Sequence, residues 1–293
     1  MNRRAFVQSA LAFAAVPAKS DRLPIFTSVE YSMLPATASI SERFQMAKDA
    51  GFQRIECPTT RNEGEAQKMK ESAAAAGIQI HSVMNMDHWK YPLSSADPAV
   101  VDKSLDGARV SLHNAKLWGA DTILLVPAVV NAETSYGDAY KRSQENIRKL
   151  IPLAQELEII IAIEEVWNKF LLSPLEFAKY IDQFESPWIR SYFDVGNVVL
   201  YGYPQDWIRT LGPRIAKLHI KDFSWRKLVA KWVPLGEGDI DWHAIYAALN
   251  DIGYKGTATV ELPAGDAAYL KEVNRRLNAI LENRLDAGIN NAA

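Results

Sequence analysis

The sequence is poor in the residues that would indicate several common kinds of functional site. Cys57 is the single cysteine among 293 residues, so the chain forms neither an intrachain disulfide nor a cysteine-based metal site. The formal net charge is −2 and no long basic run is present, which disfavours binding to the phosphates of nucleic acid. No G-x-G-x-x-G motif follows the first predicted strand, which argues against a dinucleotide-binding sheet.

The sequence also lacks long apolar runs. The apolar run near the N-terminus is short. Residues 1–18 combine Arg3 and Arg4 with a run of small apolar residues and a small-residue end, VPA. This layout is typical of a twin-arginine export signal, with a frayed amphipathic helix as the alternative. The run is shorter than the roughly 20 residues that span a bilayer. We therefore expect an export signal at residues 1–20, a periplasmic or otherwise exported location, and no stable membrane span after signal removal.

Residues 21–293 have the pattern of a single α/β domain. Apolar residues make up 48% of the chain and charged residues 23%, which is ordinary for a protein with a sizeable core. Apolar runs alternate with helix-period stretches, which predicts a single (β/α)8 barrel, with a doubly wound open sheet as the alternative. Ser41 is the expected cap of the first helix, and Ser173 with Pro174 is expected to begin the fifth. The predicted strands lie near residues 24–33, 54–57, 78–84, 121–128, 159–166, 189–195, 215–221 and 257–262. The later predicted helices lie near residues 63–76, 99–118, 140–156, 205–211, 241–249 and 267–285.

Acidic residues and a histidine end four successive predicted strands. They are Glu164 or its neighbour Glu165, then Asp194, His219 and Glu261. The carboxyl ends of barrel strands gather at one face, where functional groups of this fold are found. Three carboxylates and one imidazole suit a divalent ion such as Mn²⁺, Mg²⁺, Co²⁺ or Zn²⁺. Because a parallel strand is buried on both faces, alternation does not choose between the two glutamates.

Five motifs carry a resemblance to a known family: IEEVWNKFLLSPLEF, YFDVGNVVLYGYPQDWI, KLHIKDF, VPLGEGDIDW and GYKGTATVEL. Together they resemble the sugar isomerase/epimerase superfamily with xylose isomerase-like barrels. Within it they look most like ketose 3-epimerases, such as those acting on L-ribulose 5-phosphate, L-xylulose 5-phosphate and D-tagatose. The resemblance implies that the ligand after the fifth strand is the first acidic residue, Glu164.

The resemblance also implies roles for the four residues in a metal-dependent reaction. Glu164 and Glu261 would bind the metal and act as the catalytic base and acid, while Asp194 and His219 would mainly hold the ion. Epimerisation next to a carbonyl removes a proton and returns one to the opposite face, through an enediolate stabilised by the metal. Aldose–ketose isomerisation uses the same enediolate, so the ligand set is compatible with both reactions.

Four further residues are candidates for binding a small-molecule sugar. His88 lies beside Trp89 in a polar and aromatic loop, Asn197 lies three residues past Asp194, and we expect Lys221 and Glu237 near the metal site. Some tagatose-type epimerases carry a histidine where this chain has Asn197. The expected export favours an unphosphorylated sugar, and the sequence is compatible with a homo-oligomer.

Three other functions fit parts of the pattern. A hydroxypyruvate isomerase-like enzyme would use the same barrel with a smaller pocket. A non-catalytic exported sugar-binding barrel would not require two proton-transferring carboxylates. An endonuclease IV-like repair enzyme is disfavoured, because its zinc cluster is rich in histidine and only five histidines are present.

Overall fold

Ten strands and nine α-helices lie in the part of the chain that the computed structural model describes, residues 22–224 and 231–285. The strands are β1 (Phe26–Glu30), β2 (Arg54–Pro58), β3 (Gln79–Met84), β4 (Thr122–Leu125), β5 (Ile160–Glu164), β6 (Ile189–Asp194), β7 (Ile215–Ile220), β8 (Asp222–Ser224), β9 (Lys231–Val233) and β10 (Thr257–Val260). The helices are α1 (Ile40–Asp49), α2 (Glu63–Ala76), α3 (Pro98–Trp118), α4 (Tyr136–Arg148), α5 (Ile151–Leu157), α6 (Pro174–Asp182), α7 (Pro204–Leu211), α8 (Trp242–Asp251) and α9 (Ala267–Leu281). The predicted export signal, residues 1–20, lies outside the described residues.

The strands β1 to β7 and β10 close into a parallel barrel. Each pairs with its neighbour along the chain, and β10 pairs with both β7 and β1 to complete the ring. The helices that follow the strands cover the outside, because a parallel strand needs a crossover of this kind before the next strand. The predicted single (β/α)8 barrel is confirmed.

The helix starts follow capping chemistry, with one correction to the sequence analysis. Ser39, not Ser41, caps α1: its hydroxyl accepts a hydrogen bond from the Glu42 amide, and the Glu42 carboxylate accepts one from the Ser39 amide. Ser41 lies inside the helix, with its hydroxyl 3.0 Å from that of Ser72 on α2. Ser173 caps α6 and Pro174 occupies its first turn, as predicted.

The single helix predicted at residues 140–156 is wrong, because the structure divides it into α4 and α5. The first ends at Arg148, and the second begins at Ile151 with Pro152 in its first turn. Proline lacks the amide hydrogen of a continuous helix, and its ring clashes with the carbonyl four residues earlier. Pro152 therefore favours a new helix start over continuation of the old one.

Sequence analysis also missed a small antiparallel hairpin, β8 with β9, directly after β7. Asp222 anchors it, since its buried carboxylate accepts hydrogen bonds from the amides of Phe223, Gly236 and Gly238 and from the Trp242 indole. A Cβ at Gly238 would lie 2.0 Å from Asp222 Oδ1, so only glycine allows this approach. The hairpin is thereby held against the end of the barrel strand that carries His219.

The interior of the barrel contains polar side chains that hydrogen-bond to one another. His81 Nε2 contacts the hydroxyls of Ser28 and Thr259 at 2.9 and 3.0 Å. Such groups are tolerated in a core only when they find partners, because an unpaired buried polar group costs about 1–3 kcal/mol.

Within residues 22–224 and 231–285, no helix combines the length and apolarity needed to cross a bilayer.

A buried lysine near the start of β7 generates a stability prediction. Lys217 is only 4% exposed, and its Nζ lies 2.7 Å from Asp121 Oδ1. In Asp121→Asn the buried ammonium loses its counter-charge. We expect the free energy of unfolding to fall by about 2 kcal/mol, less than the roughly 3–5 kcal/mol for fully buried pairs, because the Asp121 side chain is 64% exposed. Urea unfolding measures this change in the free energy of unfolding.

The matched control is Asp182→Asn, since Asp182 Oδ2 lies 2.6 Å from Nη2 of Arg214, a cation with a side chain 31% exposed against 4% for Lys217. Pairs in such surroundings contribute no more than about 1 kcal/mol. Equal losses for the two variants would contradict the account of Lys217.

Candidate metal centre

Four predicted ligands meet at the carboxyl ends of the barrel strands. One ligand atom from each of Glu164, Asp194, His219 and Glu261 lies within 4.8 Å of the others. The strands that bring them there, β5, β6, β7 and β10, are consecutive in the ring. Asp194 is paired in register with His219, and Glu261 donates its amide to the Ile220 carbonyl.

The His219 ring turns its Nδ1 towards the three carboxylates. Nδ1 lies 3.0 Å from Glu164 Oε1, 3.0 Å from Glu261 Oε2 and 3.8 Å from Asp194 Oδ2. Asp194 is oriented by its other oxygen, since Oδ1 accepts hydrogen bonds from the amides of Gly196 and Asn197. The backbone turn after β6 thus leaves Asp194 Oδ2 directed at the cluster.

The structure separates the two glutamates that the sequence left as alternatives. Glu164 lies in the cluster, whereas Glu165 is not part of the four-residue group. The Glu165 carboxylate is buried, and neither oxygen has a hydrogen-bond partner among the described residues. Burial, reinforced by Asp194 and Glu164, raises the pKa of Glu165 well above its ordinary value. A buried carboxyl in this setting favours the neutral form.

Lys221 joins the cluster from the base of the hairpin. Its Nζ lies 2.8 Å from Asp194 Oδ2 and 2.7 Å from Glu261 Oε2. Burial alone would lower the pKa of Lys221, but Asp194 and Glu261 outweigh it and raise the pKa. The ammonium also lies 5.0 Å from the centre of the Trp232 ring. Gly196 makes room for this approach, since a Cβ there would lie 2.5 Å from Lys221 Cγ and 3.0 Å from Trp232 Cζ3.

Two indoles link the loops beside the cluster. The rings of Trp167, which follows β5, and Trp232, on β9, stack with centroids 4.9 Å apart and planes 20° apart. Trp167 is 42% exposed and Trp232 39% exposed. The Trp167 indole donates a hydrogen bond to the Asn197 carbonyl, so the loop after β5 contacts both the loop after β6 and the β8–β9 hairpin.

Sequence analysis missed two acidic residues of the first strands. Glu56, in β2, lies beneath the cluster with Oε2 2.6 Å from His219 Nε2. Glu30 ends β1, and burial, Glu261 and Glu56 raise its pKa to about 7. The signal for Glu56 was present in RIECP, where a charged residue interrupts a short apolar strand.

Burial and neighbouring charges move the pKa values of the cluster in different directions. Burial alone would lower the pKa of His219, but Tyr192 and the surrounding carboxylates raise it well above the ordinary value. Burial raises the pKa of Glu164 to about 7, against the lowering effect of His219. Burial would also raise the pKa of Glu261, but His219 and Lys221 hold it well below its usual range. The same surroundings therefore displace the pKa values of the two glutamates in opposite directions.

Three other candidate substrate contacts have different surroundings. The buried Asn197 side chain donates a hydrogen bond to the Glu165 carbonyl. Glu237 Oε1 lies 2.7 Å from Arg276 Nη1 of α9, which places this carboxylate in an ion pair rather than in the cluster. His88 is buried beside Trp89, and burial lowers its pKa to about 4. A substrate role for each of these residues stays a prediction, as it does for Lys221.

The four clustered side chains suit a divalent cation. A metal with bonds of about 2.1 Å places opposite ligand atoms about 4.2 Å apart, close to the 4.8 Å within which these atoms lie. Three carboxylate ligands and one imidazole are a donor set that Mn²⁺, Mg²⁺, Co²⁺ and Zn²⁺ accept. The side chains that would hold the ion are Glu164, Asp194, His219 and Glu261.

Comparisons with known proteins agree on the barrel. The model of the family described as xylose isomerase-like TIM barrel matches residues 44–280. The L-ribulose-5-phosphate 3-epimerase UlaE of Escherichia coli O1:K1 is 25% identical over 257 residues, which cover 82% of this chain and 90% of the relative. A solved D-tagatose 3-epimerase-like protein has a TM-score of 0.75 at 16% identity, with 89% of this chain and 100% of that chain covered. The apo form of the 3-keto-D-glucoside 4-epimerase YcjR from E. coli has a TM-score of 0.74 at 14% identity, with coverages of 87% and 99%.

The raised pKa of His219 generates a prediction about metal uptake. Nδ1 can bind a cation only without its proton, so the apparent affinity should rise with pH by up to about tenfold per unit until that pKa is passed. Glu164, with its pKa of about 7, adds to the same trend at lower pH. Competition for Mn²⁺ with a chelator, from about pH 6 to about pH 8, measures the affinity. Near-stoichiometric metal is expected in the purified protein and should be lost in His219→Ala.

His243→Ala is the matched control, because His243 lies on α8 with its Nδ1 2.6 Å from Asn283 Oδ1. It should bind metal like the wild type. Retention of metal in His219→Ala, or an affinity that does not vary with pH, would show that Nδ1 is not a ligand.

Proposed function

Since the chain belongs to the xylose isomerase-like TIM barrel family, we propose that it is a divalent-metal-dependent sugar epimerase or isomerase acting on a ketose or keto-sugar. The observation that carries the proposal is the position of two carboxylates. Glu164 and Glu261 both lie 3.0 Å from His219 Nδ1, yet they come from strands separated in the ring by β6 and β7. They therefore approach the centre of the barrel mouth from different sides.

The names of two of these relatives indicate the same kind of reaction, an epimerisation. L-ribulose-5-phosphate 3-epimerase and 3-keto-D-glucoside 4-epimerase act on different sugars. In both names the carbon that is inverted is next to a carbonyl carbon. A proton on such a carbon is acidic enough for a carboxylate to remove, provided that the negative charge developing on the oxygens is stabilised. This common requirement supports the proposal for the present chain.

The two glutamates can share the proton transfers. In the proposed reaction, one of Glu164 and Glu261 removes the proton from one face of the carbon, and the other returns a proton to the opposite face. The four clustered side chains would hold a metal that would supply positive charge to the developing oxyanions. Asp194 and His219 would mainly hold that cation, while the Lys221 ammonium, 2.8 Å from Asp194 Oδ2, would contact a substrate oxygen.

Solvent exchange tests the proposed chemistry and separates it from the alternatives. In deuterated water the wild type should introduce deuterium next to the carbonyl of a ketose, a keto-glycoside or hydroxypyruvate. Glu261→Gln should lower the exchange rate by about 10²–10⁴, the usual contribution of a positioned acid or base. Proton NMR of the substrate measures the exchange, and the product identifies epimerisation or aldose–ketose isomerisation.

The control variant is Glu272→Gln, on the outer surface of α9, where the carboxylate pairs with Arg275 and Arg276. Its exchange rate should equal that of the wild type. A metal-loaded wild-type protein that binds sugars but exchanges no hydrogen would identify a sugar-binding barrel and not an enzyme.

We also propose that the protein is exported through the signal at residues 1–20. The support is the order of the segment, with Arg3 and Arg4 before a short run of small apolar residues. Replacing both arginines by lysine (Arg3→Lys with Arg4→Lys) preserves the charge and should retain the protein inside the cell. Cell fractionation with immunoblotting measures the location, and unchanged export of the lysine variant would exclude the twin-arginine route.

A further inference from the structure

Glu56 is a charged residue in the centre of the barrel, and the proposed reaction does not use it. Both Glu56 and His219 are 0% exposed. Taking a carboxylate out of water costs several kcal/mol unless charge and hydrogen bonds compensate it. The partners of Glu56 therefore show what this side chain does.

Three strands supply those partners: the adjacent β3, and β6 and β7 across the barrel. Glu56 Oε2 lies 2.6 Å from His219 Nε2 and accepts a hydrogen bond of 3.0 Å from the Tyr192 hydroxyl. Glu56 Oε1 accepts a hydrogen bond of 3.1 Å from the Ser82 hydroxyl. Since both oxygens are occupied, the carboxylate is fixed in orientation, and its shortest contact is the one to the imidazole.

This contact determines which ring nitrogen carries a hydrogen. An ionised carboxylate only accepts hydrogen bonds, so Nε2 must donate. In the neutral ring the lone pair then lies on Nδ1, which is the nitrogen that faces Glu164, Glu261 and Asp194. The opposite tautomer would direct an N–H group at the position where a cation would bind.

We propose that Glu56 is a positioning residue that holds His219 as the Nε2–H tautomer, so that Nδ1 is the nitrogen available to the metal. The inference depends on the metal site of the proposed function. A hydrogen bond from the non-ligating nitrogen to a carboxylate orients metal-binding histidines in general, and its loss lowers metal affinity about 10–100-fold. Glu56 acts through His219 and does not itself contact substrate or metal.

Glu30 offers a comparison that separates orientation from charge. It is another acidic residue close enough to the cluster to be affected by Glu261, Glu56 and His219. Among the described residues, however, the ring nitrogens of His219 contact Glu56, Glu164, Asp194 and Glu261 and not Glu30. Above the Glu30 pKa of about 7, Glu30→Gln therefore removes a nearby negative charge and leaves the imidazole contacts in place, so the comparison is made at about pH 8.

The experiment measures zinc affinity by chelator competition in Glu56→Ala, Glu56→Gln and Glu30→Gln. Glu56→Ala should lose about 10–100-fold in affinity. Glu56→Gln should lose less than Glu56→Ala, because its amide carbonyl still accepts from Nε2–H while its NH₂ group donates to Ser82. Glu30→Gln should change the affinity less than either.

Nitrogen-15 NMR of histidine in the zinc-loaded protein gives a readout that a loss of packing alone would not change. The wild type should show a metal-bound Nδ1 and a slowly exchanging Nε2–H proton, and Glu56→Ala should lose that slow exchange. A metal-bound Nε2 in the wild type would overturn the inference, as would equal zinc affinities in Glu56→Gln and Glu30→Gln.

If Glu56→Ala does not fold, the comparison of zinc affinity between Glu56→Gln and Glu30→Gln still tests the inference. Failure of the wild type to bind any divalent ion would instead refute the metal site of the proposed function. Wild-type affinity in all three variants would refute only the role of Glu56.

Discussion

A single imidazole with carboxylates on both sides of it is the interaction on which the site depends. His219 has Glu56 against Nε2, and Glu164 and Glu261 against Nδ1; of these only Glu261 is partly exposed, at the barrel mouth. Transfer of these charges from water is costly, and only close pairing offsets it. The pairing brings β2, β5, β7 and the end of β10 into one electrostatic unit. The pKa values of the cluster follow from this unit and not from any residue alone.

The closed barrel is what makes such an arrangement reproducible. Parallel strands in register bring their carboxyl ends to one face, which fixes the positions of the residues at those ends. Asp194 shows this most clearly, since backbone amides of the turn after β6 hold one of its oxygens and leave the other towards the cluster. Rigid support of this kind is required wherever a ligand set or a proton transfer depends on distances of a few tenths of an ångström.

The fold and the four clustered residues were predictable because they depend on periodic patterns and on strand ends. Glu56 was not singled out, because its role comes from a neighbour 163 positions away in the chain, and that pairing exists only in the closed barrel. The choice between Glu164 and Glu165 depended on which face of β5 points inward, which a fully buried strand does not reveal. The hairpin of β8 and β9 was missed because its strands are only three residues long. Its support also comes from hydrogen bonds to Asp222 rather than from hydrophobic periodicity.

The stacked indoles of Trp167 and Trp232 have a consequence for access to the barrel mouth. They join the segment after β5 to the hairpin after β7, and the Trp167 indole also bonds to the Asn197 carbonyl after β6. The segments after β5, β6 and β7 are thus in contact with one another, and the Lys221 ammonium lies beside the Trp232 indole. Moving the hairpin away from the segment after β5 would break the stacking of Trp167 on Trp232 and would disturb the cation–π contact of Lys221 with Trp232. Opening the mouth on the side of β5 to β7 would therefore require these three segments to move together.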